Sequence, residues 1–246
     1  MRGKTRADRE TMTTQHCWDF FDTIFCITLD CRPDRRREAQ RQFSLVGLAD
    51  RVEFHVARKD TQNPERGIYQ SHLHCLRKGL ANDGRHVLIF EDDILFRNFT
   101  GQDVADAALF LREHSAWDAL FLGCITNGST LIKGRSLARI QYRCLAHAYA
   151  LNRPFAARIV ATEWAGIPFD EMLRRSGTDF FALAPMCAFQ RRTTSDNRTA
   201  ILDRIRNLLG GLACIQKGNE LYQNNKVLVL GLHLLIAVAL IFICLN

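Results

Sequence analysis

Glu91, Asp92 and Asp93 stand in a row directly after His86-Val87-Leu88-Ile89-Phe90, a short apolar run. Three adjacent carboxylates at the end of a buried segment repel one another. Partial burial raises their pKa values unless a cation sits among them. A hard divalent ion such as Mg²⁺ or Mn²⁺ meets that need, because it binds one or two carboxylates together with phosphate oxygens and water. A solvated acidic turn is the plainer reading of the same run. Its position favours the ligand reading, since ligands of open α/β sheets sit at the carboxyl ends of strands. Positive charge is gathered in two places, at Arg32, Arg35, Arg36, Arg37 and Arg41 and again at Arg191, Arg192, Arg198, Arg204 and Arg206, within a formal net charge of +7. Such clusters suit anionic partners, or form a solvated cationic face.

The elements that must position these groups follow from periodicity. Residues 23–29 are a continuous apolar, β-branched run, the pattern of a strand buried on both faces. Pro33 opens a helix over residues 34–46, with Gly47 as its C-cap. Residues 52–56 form a second strand, residues 58–66 a polar loop, and residues 71–80 a helix with Leu73, Leu76 and Leu80 on one face. Residues 86–90 are the strand before the acidic run, 104–114 a helix and 119–123 a further strand. Beyond Gly128 the expected elements are a strand over 146–151, helices over 154–162 and 170–175, and a strand over 180–184. Strands alternating with helices imply a mostly parallel α/β sheet flanked by helices.

The chain has room for one mid-sized domain and an appendage. Its organisation reads as a polar segment 1–22, a domain over 23–200, an amphipathic connector 201–226 and an apolar stretch 227–245. That stretch is 19 residues long and has no formal charge when His233 is neutral. At about 1.5 Å per residue it approaches the roughly 30 Å of a hydrocarbon core, so a C-terminal transmembrane helix is expected, with a buried core helix as the alternative. Lys217 and Lys226 precede it, which places the bulk of the chain on the cytoplasmic face as a single-pass tail-anchored membrane protein, in the inner membrane if the cell is bacterial. Nine cysteines without C-x-x-C spacing argue against a structural zinc and for a reducing compartment. No apolar stretch near Met1 resembles a secretory signal, so the three N-x-S/T sequons are read as chance.

The acidic run is one of several ordered blocks. Ile24-Phe25-Cys26-Ile27-Thr28-Leu29-Asp30 with Arg32-Pro33-Asp34-Arg35-Arg36 comes first, then Gly67 to Ser71-His72, then Val87 to Asp93. Trp117 to Gly123, Ala146 to Leu151, Pro168-Phe169-Asp170-Glu171-Met172-Leu173 and Gln190 with Ser195-Asp196 follow. In that order the chain resembles the family 25 glycosyltransferases, which include lipooligosaccharide and procollagen galactosyltransferases. Tyr69-Gln70 departs from the family's usual small residues there. The resemblance implies a GT-A-like, Rossmann-like domain and metal-dependent, inverting transfer of a hexose, galactose above all, from a UDP-sugar. The product would be lipopolysaccharide, lipooligosaccharide or another cell-surface glycan, with a saccharide or glycolipid acceptor.

It also implies site residues. Glu91, Asp92 and Asp93 would hold Mn²⁺ or Mg²⁺ against the diphosphate, with Asp92 also touching the donor. Arg32 and Arg35 would pair with the diphosphate, or remain surface cations at a helix start. Ser71, His72, Gln190 and Asp196 would complete the donor site. Asp170, with Glu171 second, would take the acceptor hydroxyl's proton, against the reading that both are ordinary acids of a helix N-terminus. His74 reads as a surface residue and His147 as a core histidine or a metal or phosphate contact. The alternative function is a catalytically degenerate, membrane-anchored nucleotide-sugar or glycan binding protein. Nucleic acid is not an expected partner, because the arginines lack interleaved aromatics.

Overall fold

The computed structural model describes residues 16–114, 116–191 and 211–245, with side chains to residue 236 in the last segment. Its ten strands are β1 (Thr23–Leu29), β2 (Val52–Ala57), β3 (His86–Glu91), β4 (Ile94–Phe96), β5 (Ala119–Phe121), β6 (Ile125–Leu131), β7 (Leu137–Cys144), β8 (Ala148–Asn152), β9 (Phe180–Leu183) and β10 (Ala188–Gln190). The helices are α1 (Pro33–Leu45), α2 (Pro64–Ala81), α3 (Gly101–Glu113), α4 (Arg153–Ala161), α5 (Phe169–Ser176), α6 (Leu212–Asn224) and α7 (Lys226–Leu245).

Eight strands form one sheet in the order β2-β1-β3-β8-β5-β9-β7-β6, and β10 pairs with β4 beside it. The sheet is mixed rather than mostly parallel. β1 runs parallel to β2 and β3, and β5 parallel to β9, but β8 runs against both of its neighbours and β7 against β9 and β6.

Helices cover both faces of the sheet, and the pleat of β3 shows how. Leu88 and Phe90 enter one core with Phe43 of α1 and Val104, Ala107 and Leu111 of α3. Val87 and Ile89 enter the other with Leu73 and Leu76 of α2, Phe155 and Ile159 of α4 and Met172 and Leu173 of α5. A strand buried on both sides has no polar face, which is why its sequence is uniformly apolar. α2 begins earlier than its leucine spacing suggests: the Asn63 side chain caps it by accepting the Arg66 N–H at 3.1 Å, with Pro64 at the first position.

The transmembrane helix expected at the C-terminus is not found. Among the described residues no helix is long and apolar enough to cross a membrane. The described apolar side chains of α7 run from Val227 to Ile236. The single-pass anchor, the membrane as a partner and the cytoplasmic-face placement built on that anchor fall with it. α6, expected to be a connector, instead packs on the sheet edge and buries Ala213, Gln216 and Glu220. The first ten residues of that expected connector lie outside the described residues.

Candidate active site

The parallel register that sets Ile27 beside Glu91 brings the ends of β1 and β3 together. β3 ends at Glu91, and Asp92 and Asp93 stand in the turn that follows it, which divides the acidic run. Asp92 meets α1: its Oδ1 lies 3.2 Å from Arg35 Nη1, and its Oδ2 accepts the Thr28 hydroxyl at 2.7 Å. Asp93 reaches the other guanidinium nitrogen of Arg35 at 3.4 Å. Glu91 continues the Val87–Ile89 face and meets α2 and β10, with His72 Nε2 at 3.6 Å from its Oε1 and the Gln190 amide donating to its Oε2 at 3.4 Å. Burial raises the Asp92 carboxyl above its ordinary value, and the Arg35 charge and the Thr28 hydroxyl oppose that shift.

These groups line a cleft of about 390 Å³ at the carboxyl ends of β1 and β3, together with Arg58, Lys59, Ser71, Asp170, Arg191 and Leu212, the first residue of α6. His72 is a buried wall residue. Its ring stacks on Phe169 at 4.1 Å, its Nδ1 is 2.9 Å from the Tyr149 hydroxyl, and burial pushes it down to about 4, which keeps it neutral. Ser71 donates its hydroxyl to the Gly67 carbonyl at 2.8 Å on its own helix. Asp170 is held by three donors: Oδ1 accepts the Tyr142 hydroxyl at 2.7 Å and the Ala146 N–H at 2.8 Å, and Oδ2 accepts the Leu145 N–H at 3.1 Å. Leu145 has φ of +75°, a left-handed conformation that an L side chain rarely adopts. Gln190 is 6% exposed, and its amide oxygen has no hydrogen-bond partner among the described residues.

Not every expected residue joins them. Arg32 turns to Asp34, with its Nε and Nη2 at 3.1 and 3.0 Å from that carboxylate, and is not part of the cleft lining. Glu171 pairs with Arg174 and Arg175 of its own helix, which hold its carboxyl at about 2, and it too lies outside the lining. Asp196 lies outside the described residues. His74 is exposed and stacks on His55 at 4.2 Å. His147 is fully buried, with Nε2 3.3 Å from the Ala188 carbonyl. Thr28, Tyr142 and Tyr149 are contributors that the sequence does not single out.

Among the described residues no group of three or more His, Cys, Asp or Glu side chains gathers as a metal cage. Glu91 turns to His72 and Gln190 while Asp92 and Asp93 turn to Arg35, so the expected three-carboxylate set is not assembled. Asp92 and Asp93 do converge, since one guanidinium lies within 3.4 Å of both. Two hard carboxylates at a cleft wall fit an ion of the Mg²⁺ or Mn²⁺ kind whose remaining ligands come from a bound phosphate and water.

Fold and site together define a Rossmann-like mixed α/β protein with an acidic, arginine-bearing cleft at the carboxyl edge of its sheet. No protein-family model matches the chain, and no curated protein matches it. Solved structures with a similar backbone include A197 from STIV, at 13% identity and a TM-score of 0.42 over 70% of this chain and 86% of that one. Mannose-1-phosphate geranyltransferase from Thermus thermophilus is similar at 11% identity and a TM-score of 0.40, over 67% and 74%. UDP-glucose pyrophosphorylase complexed with UDP-glucose is similar at 10% identity and a TM-score of 0.37, over 74% and 78%. Likeness of that degree says nothing about the activity of this chain.

Proposed function

We propose that the chain is a metal-dependent, inverting glycosyltransferase that moves a hexose from a UDP-sugar to a hydroxyl of a saccharide acceptor, as its resemblance to family 25 implies. One observation carries the reading: Asp92 and Asp93 converge on Arg35 in a cleft that Asp170 also lines. The cleft thus joins a site for a diphosphate to a carboxylate that can accept a proton, the two functions an inverting transfer requires.

In the reaction the acceptor oxygen attacks the anomeric carbon, the bond from that carbon to the diphosphate breaks, and the hydroxyl proton passes to a carboxylate. Asp170 is the carboxylate to which this reading gives that last role. Among the described residues its Oδ1 takes two hydrogen bonds and its Oδ2 only the Leu145 N–H, so the group is fixed in orientation while Oδ2 keeps a lone pair for an incoming hydroxyl. Arg35 offers a planar fork that suits two phosphate oxygens. When bound beside Asp92 and Asp93, a divalent ion would neutralise charge developing on the leaving diphosphate. Gln190 presents an unsatisfied buried acceptor, which suits a hydroxyl or N–H of the donor.

The test is a screen of UDP-hexoses, UDP-galactose first, with purified full-length protein, scoring UDP release with Mn²⁺ and with EDTA. Metal-dependent release stimulated by a saccharide acceptor is the expected result. Absence of release with every UDP-hexose would remove the enzyme reading.

A further inference from the structure

We propose that Arg35 is a resident counter-cation that makes divalent-metal binding and nucleotide binding depend on each other. The inference rests on the reading of the cleft as a metal and diphosphate site, and it adds that the two ligands bind that site interdependently. Arg35, Asp92 and Asp93 have side chains only 15%, 7% and 15% exposed, with contacts of 3.2 and 3.4 Å from one guanidinium to the two carboxylates. The two negative charges are therefore already partly balanced by the protein. Gln190, buried nearby with an unsatisfied amide oxygen, marks the same cleft as built to receive a ligand.

A dication entering between Asp92 and Asp93 has to displace the guanidinium or sit beside it. Either outcome is unfavourable alone, because a mostly buried cation then loses its contacts with Asp92 and Asp93 or is set next to a like charge. A diphosphate changes the balance. Its oxygens give Arg35 a new bidentate partner and complete the shell of a metal that Asp92 and Asp93 only half surround. Each ligand removes the obstacle to the other, and thermodynamic linkage makes the effect reciprocal. Arg35 is thus the coupling element, contributed by the first turn of α1.

Binding of Mn²⁺ to the purified full chain, followed by loss of the free-ion electron paramagnetic resonance signal with and without saturating UDP, tests this directly. UDP is expected to tighten Mn²⁺ binding at least about tenfold, within the roughly 5–150-fold span of ordinary site coupling. In Arg35→Gln, Mn²⁺ alone is expected to bind at least about tenfold more tightly than to the wild type, and the effect of UDP to shrink. Arg35→Lys, which keeps the charge but loses the fork, should retain part of the coupling. Equal Mn²⁺ affinity with and without UDP in the wild type would overturn the inference and leave the metal site standing. Failure to bind Mn²⁺ in either condition would overturn the metal reading itself. Both of these outcomes are measured on the wild type, so they hold even should Arg35→Gln not fold.

Discussion

Asp92 and Asp170 face one cleft but are held by different chemistry. Asp92 is fixed by a hydroxyl and a guanidinium, and Asp170 by two backbone N–H groups and a phenol. Asp170→Asn replaces an acceptor that donates nothing with an amide, so either the Leu145 N–H or the pair at Oδ1 meets an NH₂ group. Transfer is expected to fall about 10²–10⁴-fold in kcat while UDP affinity stays within about twofold, since general-base loss acts on the chemical step. Steady-state kinetics beside calorimetric UDP titration would show it, and an unchanged kcat would take the base role away from Asp170. The acidic run is legible in the sequence because three carboxylates after an apolar strand are anomalous by type alone. Thr28 is not, because its hydroxyl matters only through the long-range register that lays β1 against β3. The division of Glu91 from Asp92 and Asp93 is not legible either, because it depends on where β3 gives way to the turn that points both aspartates at Arg35.

At the scale of elements, the apolar strands β1, β3, β5, β8 and β9 are legible, as is the half-buried β2, and the polar or very short ones are not. β7 alternates, with Arg139, Gln141 and Arg143 outward and Ala138, Ile140 and Tyr142 inward, but its charge hides it from a search for apolar runs. β4 and β10 are three residues each and exist only as each other's partners, yet β10 is what carries Gln190 to Glu91. α6 holds β10 from behind: Gln216 donates to the Ala188 carbonyl at 2.8 Å, and Glu220 accepts the Met186 N–H at 2.7 Å. This clamp passes over Gly123, where an added Cβ would collide with the Ala188 carbonyl backbone and come within 2.6 Å of the Gln216 amide nitrogen. Gly123→Ala should therefore destabilise the protein by about 1–3 kcal/mol or more, as overpacking does, with backbone unable to yield. Gln216→Ala should cost about 0.5–1.5 kcal/mol by removing one of the two side-chain partners of that carbonyl, the other being His147 Nε2. Urea denaturation of both variants is the measurement; wild-type midpoints would mean that α6 does not clamp β10.

For the whole molecule, the two fully buried histidines set how the fold answers acid. Burial pushes His72 on the α2 face and His147 at the β7–β8 corner down to about 4 from an ordinary 6.5. The native state thus refuses protons that the unfolded chain accepts. No penalty exists above about pH 6.5. It grows as pH falls from there and levels off near about 4, because below both values native and unfolded chains bind the same number of protons. A shift of that size is on the order of 3 kcal/mol for each histidine, large against the roughly 5–15 kcal/mol that holds a typical domain together. His55 and His86, lowered less, act in the same direction. Asp92 acts oppositely: its raised carboxyl takes up a proton in the native state first, which adds stability as pH falls through its native value. Asp34 and Glu171, held at about 2 by neighbouring arginines, lose their contribution only below the ordinary carboxylate range. The histidine window is therefore separate from the carboxylate one, and a formal net charge of +7 that climbs as acids titrate adds self-repulsion at the bottom of it. The urea midpoint should decline steadily from about pH 6.5 to about 4.5, and His147→Gln, which cannot titrate, should flatten part of that decline. A level profile across this window would mean that neither imidazole is shielded from water as the fold requires.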